Sequence, residues 1–345
     1  MFPTTYDTIL QDSAEMQNSF DTALGNLTTV ERDIVDRAAV TIALVSSHVG
    51  VYPTAGRNQH QEHFSASLLK VAAMYAAFEL RKDVTPVSHG LTSRQEFLTA
   101  LREQFNPSIR EAVPRIANAS AITDLHLFPD YGKVFDSPFN PSTGQLAVNF
   151  SESFWNSLQD MIGGSNAAAA ATIHGLGFGY LNGALANGGF FDDPSAIGIW
   201  LAGDFQGQWP PVRISSDNDG MVAQATTTHQ MANLYALMRE EALVGPQDSN
   251  SMLDLLAGGA TWFTHTSPQI WPPNLNLLVT HSKVGRGPLP PFAPGEVLSE
   301  GAIVHEVAHD RDFIVTWQNV LGPPTLSTLL PIARLIEGTI DLALA

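Results

Sequence analysis

Ser67 and Lys70 stand three residues apart in FSASLLKVAAMYAAFEL, where apolar spacing predicts a helix that Ser67 opens and that runs to about Arg81. Residues three apart on a helix share a face, and the free N–H groups of a first turn give a positive local potential. A serine hydroxyl is a poor nucleophile unless a base lies within hydrogen-bond reach. The lysine sits in an otherwise apolar run, and desolvation favours its neutral amine. These residue types at this spacing suit covalent catalysis, with Ser67 as nucleophile and Lys70 as proton acceptor.

The surrounding segments must hold that pair. Thr28 and Glu31 in LTTVERDIVDRA have capping-box spacing and start a helix. AVTIALVSSHVGVYPTAG then reads as two short strands joined by a turn, directly before the Ser67 helix. From about residue 85 to 240 the pattern is helical, with an alanine run in MIGGSNAAAAATIHGLG suited to a buried helix and threonines in ATTTHQMANLYALM able to cap one. Strand character returns in LNLLVTHSKVG, GAIVHEVAHD and DFIVTWQNV, and TLSTLLPIARLIEGTIDLAL reads as a closing helix kinked at Pro331. The economical arrangement is an α/β (α+β) fold: one antiparallel sheet built from both chain ends, flanked by helices, with an inserted all-helical subdomain. Its expected bounds are an N-terminal extension over 1–26 and a single domain over 27–345. Within that domain the α/β part is 27–65 and 245–345, and the helical part is 66–244.

On these motifs the chain resembles the class A β-lactamase and penicillin-binding-protein superfamily over roughly residues 30 to 343. FSASLLKVAAMYAAFEL resembles the nucleophile helix, implying Ser67 as the acylated residue and Lys70 as base. MIGGSNAAAAATIHGLG resembles the second element, usually Ser-Asp-Asn, and places Gly164, Ser165 and Asn166 on that triplet. ATTTHQMANLYALM resembles the threonine-initiated helix after the Ω-loop. VTHSKVGRG resembles the Lys-Thr/Ser-Gly strand, giving Lys283, Val284 and Gly285. The resemblance implies a β-lactamase/transpeptidase-like fold with the active site at the N-terminus of the Ser67 helix. It also implies Asn166 and Lys283 as substrate-positioning groups, and an oxyanion hole from the N–H groups of Ser67 and Arg286. The Arg286 guanidinium could further offer a substrate carboxylate a bidentate partner. Three departures concern chemistry. Gly164 replaces a proton-relaying serine, Val284 replaces a hydroxylated carboxylate-binding residue, and no Glu-x-x-Leu-Asn occurs in DDPSAIGIWLAGDFQGQW, where only Asp192, Asp193 and Asp204 are available. The implied function is therefore a serine hydrolase or acyltransferase that forms an acyl-enzyme on Ser67 from a small-molecule amide or ester. It would be a poor β-lactamase. The alternative is a catalytically silent binding protein on the same fold.

His305-Glu306-Val307-Ala308-His309 matches the H-E-x-x-H pattern of zinc peptidases, which needs both histidines on one helix face. The flanking segments are β-rich and Asp310-Arg311 reads as a hairpin turn. On a strand the two imidazoles stand about 13 Å apart, too far to share an ion. The other histidines have no ligand-like spacing, so no metal or cofactor is expected, and a zinc peptidase using His305, Glu306 and His309, with Glu337 as third ligand, is the least favoured of the three functions. His63, four residues before Ser67, is a candidate for the cleft wall, as are Trp200, Trp209 and Trp271, with packing the commoner use of such residues.

Composition narrows the partners. With 34 acidic against 17 basic residues the net charge is -17, a field that repels nucleic acid and anionic membranes. The absence of cysteine removes disulfides and thiolate chemistry. No apolar run is long enough for a membrane span, and MFPTTYDTILQDSAEMQ lacks the basic and apolar regions of a signal peptide. The expectation is a soluble protein, cytoplasmic unless a leader was removed.

Overall fold

The Val/Ile-rich segments at the two ends of the chain do pair, although nearly the whole sequence separates them. The computed structural model describes residues 5–46, 50–115, 127–142, 144–208, 212–265, 277–289 and 295–345. Strands β1 (Leu10–Asp12), β2 (Ala39–Leu44), β3 (Tyr52–Arg57), β4 (Leu277–Pro288), β5 (Glu296–Glu306) and β6 (Arg311–Leu321) form a six-stranded sheet in the order β1-β3-β2-β6-β5-β4. Neighbours are antiparallel except β1 with β3. Strand β2 lies between β3 and β6 and is buried along most of its length, which is why AVTIAL reads as a small-residue run interrupted only by Thr41 instead of an alternation.

The chain divides into two compact units. One contains Asp7–Leu69 and Ser215–Ala345, and the other contains Lys70–Ile214 with the N-terminal residues to Tyr6. In the sheet unit, helix α1 (Ala14–Gly25) starts at Ser13, whose side chain accepts from the Met16 N–H, and α2 (Thr29–Val35) starts with the complete Thr28/Glu31 capping box. Met16, Phe20 and Ala23 on α1 pack into a core with Leu335, Ile336 and Ile340 of the closing helix (Leu326–Leu344) and with Val40, Ile42, Val315 and Trp317 of the sheet. Within the stretch 1–26, set apart in the sequence as an extension, residues 10–12 therefore supply the edge strand β1 and residues 14–25 a helix of the main core. The cause is the apolar stripe at 16, 20 and 23, which buries against the closing helix and the sheet.

Helices α3 (Lys70–Val84), α4 (Arg94–Ala112), α5 (Glu152–Ile162), α6 (Asn166–Leu176) and α7 (Phe178–Asn187) belong to the second unit, as do several two-stranded ladders such as Phe135–Asp136 with Asn149–Phe150, which the helical pattern did not announce. Helix α3 is buried nearly all round, so its sequence carries little amphipathic signal. Helix α8 (Thr228–Arg239), capped by Thr227, lies on the sheet: Thr228 Oγ1 is 2.9 Å from Thr41 Oγ1, and Thr316 Oγ1 donates to Thr228 O at 2.8 Å. Among the described residues no helix is long and apolar enough to cross a membrane.

Candidate functional site

Ser67 lies in a 3₁₀ turn, Ala66–Leu69, that runs directly into α3 at Lys70. Ala66 has a φ of +51°, a left-handed conformation that costs a residue with a Cβ about 1–2 kcal/mol. Leu68 and Leu69 are fully buried and anchor the turn, while Ser67 is half-buried. Among the described residues its Oγ has no hydrogen-bond partner.

The β4 face that carries Lys283, Gly285 and Gly287 packs against this turn. A Cβ at Gly285 would collide with Ser299 Oγ and Ser65 O, and one at Gly287 would stand 3.0 Å from Ala66 Cβ. Ser299 Oγ itself donates to Ser65 O at 2.7 Å. Glycine at 285 thus lets the strand approach the backbone beneath Ser67. Gly285→Ala is expected to destabilise the chain by about 1–3 kcal/mol and to displace the turn. Chemical denaturation measures the first effect and Ser67 labelling the second, and an unchanged unfolding midpoint would show that the turn has room to spare.

Lys283 is buried to 5% exposure and its Nζ donates to Val284 O at 3.0 Å. Val284 points to the opposite face, across from Glu300 on β5. The Arg286 guanidinium is already engaged. Its Nε and Nη2 each donate to Glu296 at 2.9 Å. The fork that the sequence offered to a substrate carboxylate is satisfied by this neighbour, because Glu296 sits on the adjacent strand opposite Pro288.

In the helical unit, three of the expected site residues converge on Lys70. Its Nζ donates to Gly164 O at 2.9 Å, Ser165 O at 3.3 Å and Asn166 Oδ1 at 2.9 Å. Ser67 Oγ is not among its partners. The face of Phe205 lies 5.2 Å from the same nitrogen. Burial lowers the Lys70 pKa from 10.5 to about 8. Ser165 is the N-cap of α6 and accepts from the Ala168 N–H, which leaves Asn166 as first residue of the helix, turned toward the amine. Gly164 has a φ of +120°, a region that L side chains rarely adopt. Glycine at this position has a backbone reason: no atom within 4 Å would crowd a Cβ, but the conformation itself selects glycine.

Of the acids in the segment that lacks the Glu-x-x-Leu-Asn pattern, Asp204 is buried and committed. One oxygen accepts from the Gln206 and Gln208 N–H groups, and the other lies 3.1 Å from His174 Nε2. Asp192 accepts a hydrogen bond from Ser195. Phe205 and Glu300 escaped the sequence reading, since neither belongs to a spaced motif. The one signal for Phe205 was its place between acidic and glycine residues in GDFQGQ.

The H-E-x-x-H residues straddle the end of β5 and the turn into β6. Glu306 accepts from the Ala308 and His309 N–H groups, His309 Nδ1 sits 2.8 Å from Glu306, and His305 Nδ1 sits 2.8 Å from Asp312. Each imidazole is oriented by a different carboxylate on a hairpin, so the helical chelate of a zinc peptidase is not formed. His63 is buried at 1% exposure beside Gln318, and burial lowers its pKa to about 4. Trp200 is fully buried and donates to Val212 O. Its role is packing. Trp209 and Trp271 lie outside the described residues.

No protein-family model matches this sequence, and no curated protein is similar to it. Solved structures are. An extended-spectrum β-lactamase, TLA-3, is similar with a TM-score of 0.54 at 11% identity, covering 94% of this chain and 97% of that one. The TLA-1 extended-spectrum β-lactamase gives a TM-score of 0.54 at 11% identity over 95% and 100%, and an ancestral class A β-lactamase gives 0.50 at 15% over 92% and 99%. The fold is β-lactamase-like. At these identities the likeness covers the β-lactamase-like arrangement of sheet and helices. The chemistry rests on the chain's own residues.

Proposed function

We propose that this protein forms an acyl-enzyme on Ser67 from a small amide or ester. The observation that carries the reading is the buried Lys70 amine, held by Gly164–Asn166 on the helix that continues the Ser67 turn. In the reaction Ser67 Oγ bonds to the substrate carbonyl carbon while its proton passes to the neutral Lys70 Nζ. The tetrahedral oxyanion is held by the N–H groups of Ser67 and Arg286. Its collapse breaks the bond to the leaving group, which takes the proton from Lys70, and water or an amine then resolves the ester. Asn166 and Lys283 orient the substrate by hydrogen bonds.

The alternative is a binding protein that retains the β-lactamase-like fold without turnover. The commitment of Asp204 to His174 and to two backbone N–H groups favours it, because that carboxylate is not free to activate a resolving water. Intact-mass spectrometry after incubation with a fluorophosphonate, a penicillin and a panel of esters separates the two. The expected result is one adduct on the wild type with at least one reagent and none on Ser67→Ala. A folded wild type that gains no mass with any of them would overturn the acyl-enzyme reading in favour of binding.

A further inference from the structure

Phe205 has a φ of +61°. A bulky aromatic persists in the left-handed region only where its surroundings over-determine it. Those surroundings are the buried carboxylate next to it. Asp204 Oδ1 accepts from Gln206 N at 3.0 Å and Gln208 N at 3.2 Å, closing the turn after Phe205, while Oδ2 ties the turn to His174 on α6 at 3.1 Å. Helix α6 also begins with Asn166, whose Oδ1 holds Lys70. One helix therefore fixes both the oxygen cradle under the amine and the loop that brings a ring face to 5.2 Å from it, within the range where a cation is attracted by an aromatic quadrupole.

We infer that Phe205 is a positioning residue for Lys70: its ring holds the amine on the Gly164–Asn166 oxygens and closes that compartment to water. The inference rests on the reading of Lys70 as the proton acceptor for Ser67. The ring has two opposing effects on the protonation of Lys70. Its quadrupole stabilises the ammonium, and its bulk excludes the water that would stabilise it further. Substitution separates them. Leucine keeps the bulk and loses the quadrupole. Glycine removes both, and it takes the left-handed backbone without strain.

The test is an NMR titration of the full chain with isotopically labelled lysine, the Lys70 signal being assigned by its loss in Lys70→Met. Phe205→Leu is expected to lower the Lys70 midpoint by roughly 0.5 to 1.5 pH units. Phe205→Gly is expected to raise it toward the value of an ordinary lysine. Midpoints that stay at the wild-type value in both folded variants would overturn the inference and leave Phe205 a packing residue. Adduct formation on Ser67, followed in the same samples by intact mass, keeps the two proposals apart. A moved titration with no adduct on the wild type sinks the acyl-enzyme reading alone, and adducts with an unmoved titration sink the Phe205 inference alone.

Discussion

Lys70→Met is expected to slow acylation of Ser67 by about 10²–10⁴-fold, the usual contribution of a positioned general base. The variant should remain folded. Methionine fills a similar volume in the apolar surroundings of α3, and the oxygens that lose a donor belong to Gly164, Ser165 and Asn166, which lie at the exposed start of α6. Only the neutral amine can accept the serine proton, and burial lowers the Lys70 pKa to about 8. The wild-type acylation rate should accordingly rise with pH through a midpoint near that value, and the residual rate of Lys70→Met should lack this limb. Stopped-flow labelling across pH measures both. An acylation rate unchanged in Lys70→Met would remove the lysine from the mechanism. The same group affects stability in a separate window. Its folded pKa lies below the unfolded value of 10.5, so burying the ammonium costs stability below about pH 8, and that cost is relieved as pH rises from there to 10.5.

Glu300→Gln is expected to abolish a large pH dependence of folding. Glu300 is fully buried on β5, opposite Val284 and Trp317, on the sheet face that carries Leu298, Ala302 and Val315 into the core. Neither carboxyl oxygen makes a well-formed hydrogen bond among the described residues. Burial pushes its pKa from 4.5 up to about 8, and Thr261, the Trp262 N–H, Trp317 and Lys283 only partly oppose the rise. The sign follows from linkage. Between these values the unfolded chain has released the proton and the folded chain keeps it, so stability is full below pH 4.5 and falls as pH rises through about 8. Glutamine is neutral throughout. Relative to Glu300→Gln, the wild type should lose on the order of 5 kcal/mol between those limits, at about 1.4 kcal/mol per pH unit. Urea unfolding of both proteins at several pH values gives the difference directly. Parallel curves for the two proteins would show that the carboxyl finds a partner or water that offsets its burial.

What the sequence revealed followed periodicity and punctuation. The hairpin β2–β3, the capping box at Thr28 and the three late strands all carry local signals strong enough to survive in the fold, and the helix expected to open at Ser67 and end near Arg81 forms with other bounds, a 3₁₀ turn over Ala66–Leu69 followed by α3 to Val84. The hairpin at 307–310 was legible because Asp310-Arg311 interrupts two β-rich runs, and Asp310 does take a left-handed φ of +53°. Strand β1 was not legible. Three residues give no alternation to detect, and its pairing with Tyr52–Thr54 is a property of the assembled sheet. The triplet Gly164–Asn166 was found through its resemblance to a family element, but its contact with the Lys70 amine depends on how α3 and α6 pack. Phe205 and Glu300 were silent for the same reason. A ring above an amine and a carboxyl facing a core are relations between distant segments, and nothing in the neighbouring residues marks them. The Arg286 fork shows the converse case, in which a residue type suited to substrate binding is taken up by a partner on the next strand.

The sheet's strand order has a consequence for the nascent chain. Strand β2 leaves the ribosome long before its partner β6, with the whole segment 45–310 between them. Until then the hairpin must wait with an unpaired edge and an uncovered apolar face, a state prone to aggregation. Helices of the intervening segment close over local contacts and can form meanwhile. Maturation should therefore wait on synthesis of β6, and chains truncated before β6 should be captured by chaperones that bind exposed strands.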